Sequence, residues 1–266
     1  MRKIEICLAF AATVWLIAGC TVTHGPVKPA GITLNEGTII YSGLIGQTST
    51  DRFAALLKSS GNQVTTLRIE SGGGDVEAAM RMGALVFDHG LDIEIFGDGC
   101  HSSCANYVFP AGRNKLIERG ALVSWHGSAI QTEWNMPRGQ TKQEFAEALA
   151  PIRQMQYDYF RRLGVDERVT IVGHDLNCRC IWVLSAEDMA RFGIDNIVVA
   201  GDLRSALGAN EYMSGIRFLD LPEDVLDRIR PPRTSAPRSQ TTDHPVQKPG
   251  NAVISGGTAV LDRNLT

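Results

Sequence analysis

A serine, a histidine and two glycine- or serine-rich turns follow one another in this chain in an order that suits acyl transfer. Ser71-Gly72-Gly73-Gly74-Asp75 is followed about one βα unit later by Cys100-His101-Ser102-Ser103-Cys104-Ala105, and Ser124-Trp125-His126-Gly127 comes after that. Each turn ends an apolar run and opens an apolar, helix-like stretch, the way a chain presents main-chain N–H groups and a hydroxyl at the rim of a parallel sheet. A hydroxyl nucleophile, an imidazole base and amides for a developing oxyanion are the parts acyl transfer needs. Each part also has a plain structural use: Ser103 as a helix N-cap, the glycines as positive-φ positions, His126 as a core histidine bonded to backbone. Their ordered co-occurrence favours a site. His101 and His174 lack that support and read as surface or supporting residues.

The elements that must position these groups alternate. Thr38 to Ile45 reads as a first strand, Thr50 to Ser60 as a helix with Phe53, Leu56 and Leu57 on one side, and Gln63 to Ile69 as a second strand running into the glycine turn. Val76 to His89 has helical spacing and is stopped by Gly90; Leu91 to Phe96 is a third strand leading to the cysteine-serine turn. Ser103 to Ala111 is a small buried helix ended by Gly112, and Lys115 to Ile117 and Ala121 to Trp125 are short strands. Gln140 to Leu163 is strongly amphipathic. Ile181 to Leu184 is a strand, Ser185 opens a short helix with a capping box, and Gly193 closes it before Ile194 to Ala200. Strand and helix in alternation predict an α/β layer with a parallel sheet, its ligand face at the carboxyl ends of the strands.

The ends of the chain read differently. Arg2 and Lys3, the apolar run Ile6 to Ile17 and small residues before Cys20 make residues 1–19 an export signal, too short to span a bilayer comfortably. Ile17-Ala18-Gly19-Cys20 resembles the lipobox of bacterial lipoproteins, in which the cysteine becomes a lipidated N-terminus. Residues 20–36 are then a Pro/Gly/Thr tether, and Thr21 after the cysteine favours the outer membrane, on the periplasmic side of the envelope. Residues 37–230 form one domain, and 231–266, rich in Pro, Ser, Thr and Arg, form a tail expected to be disordered. The net charge of −3, with both signs dispersed, offers no basic face to nucleic acid. Of six cysteines, Cys7 leaves with the signal and Cys20 is the lipid candidate, so Cys100, Cys104, Cys178 and Cys180 remain. Outside the cytoplasm four cysteines read as two disulfides, with three possible pairings. Strain in a Cys-x-Cys bridge favours cross-pairing between the 100/104 turn and the 178/180 segment. A tetrathiolate zinc site is the rival, disfavoured by the single residue between Cys178 and Cys180. No metal or organic cofactor is otherwise indicated.

Ser71 to Val76, then Gly99 to Ala105, then Ala111-Gly112, then Val123-Ser124-Trp125-His126, resembles the Clp-type serine peptidases of the ClpP/crotonase superfamily, and more closely exported ClpP-like proteins with a cysteine-flanked serine. The resemblance runs from about Thr38 to Val199. It implies the ClpP/crotonase-like layered fold, a nucleophilic serine opening a helix, and a histidine base about two dozen residues on. Ser103 lies 23 residues before His126 and nine before Gly112, matching the family without a gap, whereas Ser102 needs a one-residue shift. The resemblance therefore implies Ser103 as nucleophile with Ser102 as fallback, His126 as base, and the Gly74 and Cys104 amides as oxyanion hole. Ile181 stands where the family has its third catalytic residue, an aspartate, and Asp175 is the nearby candidate to orient His126. The family also implies a peptide or protein substrate and a tendency to form homo-oligomers.

Two functions follow as expectations. One is a membrane-anchored envelope serine hydrolase, most simply a peptidase. The other is a noncatalytic binding or assembly protein that keeps the scaffold and uses its groove or the helix Gln140 to Leu163 to hold a partner.

Overall fold

The computed structural model describes residues 30–131, 139–178, 180–209 and 215–229. The signal segment, Cys20 and the tail from 231 lie outside these residues.

Gly31–Asn35 (β1) and Thr38–Ser42 (β2) form an antiparallel hairpin, so residues assigned by sequence to the tether instead supply an edge strand. The chain then winds through Gln47–Ser60 (α1), Thr66–Ser71 (β3), Val76–Asp88 (α2) and Asp92–His101 (β4). Strands β2, β3 and β4 are parallel and in register at Ile39, Leu67 and Ile93 and again at Tyr41, Ile69 and Ile95. All six side chains are buried, because alternate positions of a pleated strand share one face. In the intervening row Arg68 stands between Ile40 and Glu94, and its guanidinium donates to Glu118 at 3.0 and 2.7 Å.

Next come Lys115–Ile117 (β5), Leu122–Ser124 (β6), Lys142–Leu163 (α3), Val172–Asp175 (α4), Ile181–Val183 (β7), Ala186–Ala190 (α5), Ile197–Val199 (β8), Leu203–Ala209 (α6), Ile216–Phe218 (β9) and Val225–Ile229 (α7). The main sheet runs β1-β2-β3-β4-β5-β8 and is parallel from β2 onward. Helices flank it, as the alternating pattern predicted. Strand β4 is longer than expected and does two jobs: its first half pairs with β5, and Gly99–His101 pairs with β6. Strand β7 lies with β9 in a separate parallel pair and reaches the main layer through a bridge between Trp182 and Trp125.

Local chemistry explains the helix boundaries. Asp75 caps α2 by accepting from the Ala78 N–H at 2.7 Å, and Thr141 and Glu144 form a reciprocal capping box at the start of α3. Ser185 caps α5 in the same way through the Asp188 N–H. By its contacts the chain divides after Glu223, earlier than the expected boundary at 230, and α7 belongs to the second unit. Among the described residues no helix is long and apolar enough to cross a membrane.

Candidate active site

The glycine turn and the serine turn meet at the carboxyl ends of β3 and β4. Beyond β3, the Ile45 N–H donates to Gly73 O at 2.8 Å and the Asp75 N–H donates back to Ile45 O at 2.9 Å, which pins the glycine turn to the end of the β2 segment. The Gly73 N–H donates to the Ser71 hydroxyl. Gly73 has φ +92°, and a Cβ placed on it would lie 2.7 Å from Ser102 Cβ and His101 O and 2.9 Å from Ser103 N. Only a residue without a side chain permits this approach.

Ser102 has φ +57°, a left-handed conformation that is rare for a residue with a Cβ. Its N–H donates to Ser124 O at 3.0 Å, and its carbonyl accepts from the Asn106 N–H at 2.8 Å. Its hydroxyl oxygen lies 2.7 Å from His126 Nε2. Ser103 is directed elsewhere: it is 4% exposed and its hydroxyl donates to Gly74 O at 2.7 Å. The hydroxyl that meets the imidazole is thus that of Ser102, and Ser103, the first choice on spacing, holds the glycine turn.

The reason for the difference is visible in the helix that follows. Cys104–Val108 is a π-helical turn, with the Phe109 N–H reaching back to Cys104 O, and it runs into a 3-10 turn at Phe109–Ala111. A π turn accommodates one residue more than an α turn. That extra residue absorbs the one-position shift that Ser102 required against Gly112.

Partial burial pushes the His126 imidazole below its ordinary range, its own main-chain carbonyl opposes that shift, and the neighbouring His174 adds to it. The ring meets the Ser102 hydroxyl through Nε2, and the His126 main-chain carbonyl accepts from His174 Nε2 at 3.1 Å. His174 in turn stands edge-on to Trp182. Asp175, the sequence candidate for orienting the base, has a carboxyl raised by burial, and the groups that oppose that shift are His174 and Arg168 rather than His126. It occupies the end of α4, one residue beyond the side chain that does touch the His126 segment.

Three further contacts hold the histidine loop. Asn106 Nδ2 donates to Gly127 O at 3.0 Å, Arg153 Nε of α3 donates to Ala129 O at 2.6 Å, and the Ser128 and Thr170 hydroxyls are 2.8 Å apart. Asn106 is buried on the same π turn that carries Ser102's successor residues, so it links the two halves of the site. Nothing in the sequence pattern marked it, since a polar residue in an apolar helix is read as a core exception.

The disulfides are both local, Cys100–Cys104 and Cys178–Cys180, which replaces the expected cross-pairing. Chain reversal at Ser102 brings the first pair's Cα atoms to 5.3 Å, and the bend after α4 brings the second pair's to 5.2 Å, both within bridging range. The thiols of the rival zinc site are consumed in these bonds. Among the described residues no cluster of three His, Cys, Asp or Glu side chains could hold a metal ion. The amide following the paired serine is that of Ser103, not Cys104. Its nitrogen lies close to the Gly73 main chain, and the Gly74 N–H takes no part in the Ile45 bridge.

No family model matches the chain, and no curated protein matches it. Among solved structures, a mutant of a membrane-bound stomatin-specific protease is similar over 69% of this chain and 96% of its own, with a TM-score of 0.40 and 14% identity.

Proposed function

We propose that the protein is a serine hydrolase, most simply a peptidase, in which Ser102 is the nucleophile and His126 the general base. The observation that carries this reading is the 2.7 Å contact between the Ser102 hydroxyl and His126 Nε2, made by a serine held at positive φ on a strand-to-helix turn. The depressed imidazole pKa keeps the ring neutral near pH 7, the form that accepts a proton. His126 takes the hydroxyl proton as the oxygen attacks a substrate carbonyl, and a tetrahedral oxyanion forms beside the nucleophile. There the Ser103 amide, with Gly74 as second donor, stabilises it; one such donor is worth on the order of 3 kcal/mol. The proton then passes from His126 to the leaving group.

The site works as a dyad in this reading. In place of a carboxylate on the ring, His174 holds the His126 main-chain carbonyl at 3.1 Å and so fixes the loop that carries the base. The sequence supports an envelope location, with Cys20 carrying the lipid and residues 21–29 spacing the domain from the membrane surface. A fluorophosphonate probe tests the chemistry: the wild type should become labelled, and Ser102→Ala and His126→Ala should not. An unlabelled wild type, or equal labelling of Ser102→Ala, removes the proposal.

A further inference from the structure

We infer that the Cys100–Cys104 disulfide is the positioning element for Ser102, so that the hydrolase becomes competent only once this bond has formed. The inference rests on the serine hydrolase reading and concerns what holds its nucleophile.

The strand that delivers Ser102 parts from its β3 neighbour just before the nucleophile. Strands β3 and β4 match regularly up to Ile69 and Ile95, but the next pairing is Ser71 with Cys100, so four residues of β4 depart from the ladder between them. Within that excursion Gly99 has φ +121°, and a Cβ on it would collide with the main chain of Leu122. Cys100 is where the chain re-enters the sheet, between Ser71 of β3 and Val123 of β6. Two residues later Ser102 takes its left-handed conformation, and two residues after that Cys104 opens the π turn. The disulfide joins the re-entry point to the start of the helix and encloses the nucleophile between them.

Without that bond the segment would have two ways to relax. Ser102 could leave positive φ, a conformation that persists in a non-glycine residue only where its surroundings hold it. The π turn could also lose its extra residue to the turn before it, which moves Ser103 toward the place of Ser102. Either change breaks the 2.7 Å approach to His126. A crosslink at both ends of the turn opposes both.

Both sulfur-bearing residues are fully buried, so dissolved reductant has no direct access in the folded protein. The bond is a fixture acquired during maturation. Its formation requires a partner disulfide: one cysteine thiolate attacks it, releasing one thiol, and the second thiolate displaces the other half. The two cysteines lose two electrons, and the partner disulfide is reduced to two thiols. Cys178–Cys180 is partly exposed, follows α4 in the chain and encloses neither Ser102 nor His126, and it serves as the control.

The test compares second-order fluorophosphonate labelling rates of full-length wild type, Cys100→Ala/Cys104→Ala and Cys178→Ala/Cys180→Ala, with near-ultraviolet circular dichroism as a check on tertiary structure. The first double variant should retain native circular dichroism and label at least about tenfold more slowly, and the second should label near the wild-type rate. Should the first variant not fold, wild type reduced in denaturant and refolded with its thiols free takes its place, and addition of oxidised glutathione should restore labelling. Labelling of the 100/104 variant, or of the reduced protein, at the wild-type rate overturns the inference while leaving the hydrolase reading intact. A wild type that never labels overturns the hydrolase reading itself.

Discussion

Replacing Gly73 by alanine should disable the site, whereas the same change at Gly72 should be nearly silent. At Gly73 the new Cβ would meet Ser102 Cβ and His101 O at 2.7 Å and Ser103 N at 2.9 Å, and the position has φ +92°. Two of those three neighbours are main-chain atoms, so no side-chain rotation relieves the contact. Ordinary van der Waals separation begins at 3.4 Å, so the serine turn or the glycine turn must give by at least 0.7 Å. A displacement of about 1 Å between reacting groups can cost on the order of 100-fold in rate, because proximity and orientation are lost together. The positive φ adds about 1 kcal/mol of backbone strain for any residue with a Cβ. At Gly72 a Cβ would meet only the flexible end of Leu44, at 3.5 Å, with no positive φ to oppose it. Fluorophosphonate labelling rates and thermal unfolding of the two variants measure the contrast. Gly73→Ala labelling as fast as Gly72→Ala would refute the claim that close packing of the glycine turn against the Ser102 turn sets the site.

Other consequences of the structure are as direct. Ser103→Ala removes a buried hydrogen bond to Gly74 O, so unfolding stability should fall by about 1–2 kcal/mol, or roughly 2–4 °C in Tm per kcal/mol, while labelling continues; loss of labelling with stability intact contradicts this. Labelling should follow the neutral form of His126, placing its acid limb below about pH 6.5, since burial disfavours the imidazolium; a limb at or above that value argues against this base. His101 is depressed for the same reason, so below about pH 6.5 the native state binds fewer protons at these rings than the unfolded chain does. Their contribution to stability should therefore decrease as pH falls through that range, as chemical denaturation at several pH values will show. Lys115 is buried, with its amine pushed down to about 8 by burial and donating to Gly112 O and Asp195 O; Lys115→Met should cost about 2 kcal/mol or more in stability without touching the labelled residue. Cys20→Ser should shift the protein from membrane to soluble fractions on cell fractionation, and unchanged partitioning would remove the lipid anchor.

Much of the fold is legible from period alone. Ile39 and Tyr41, Leu67 and Ile69, and Ile93 and Ile95 alternate as buried strands must, and Val76 to Val86 repeats as a helix on a core must. The turns that come together around Ser102 were legible as a set, because Ser71–Asp75, Cys100–Ala105 and His126 lie at strand ends. Which serine faces the imidazole was not. Residue counting assumes 3.6 residues per turn, and the π turn at Cys104–Val108 breaks that assumption by one place. The disulfide pairing escaped for a similar reason: reversal at Ser102, a residue at positive φ that composition does not advertise, is what brings Cys100 to Cys104. The choice of Asp175 failed because a carboxylate near in sequence to the supporting strand need not point at the base. His174, one residue earlier, occupies the side of α4 that meets the His126 carbonyl.

Mass-spectrometric localisation of the phosphonyl adduct after fluorophosphonate treatment addresses the central claim most directly. The disulfide-linked peptide containing Cys100 to Cys104 holds both Ser102 and Ser103, and fragmentation between them separates the two. The geometry predicts the adduct on Ser102, the hydroxyl 2.7 Å from His126 Nε2, and its disappearance in His126→Ala. An adduct on Ser103, or an adduct on Ser102 that forms equally fast without the imidazole, would contradict the account.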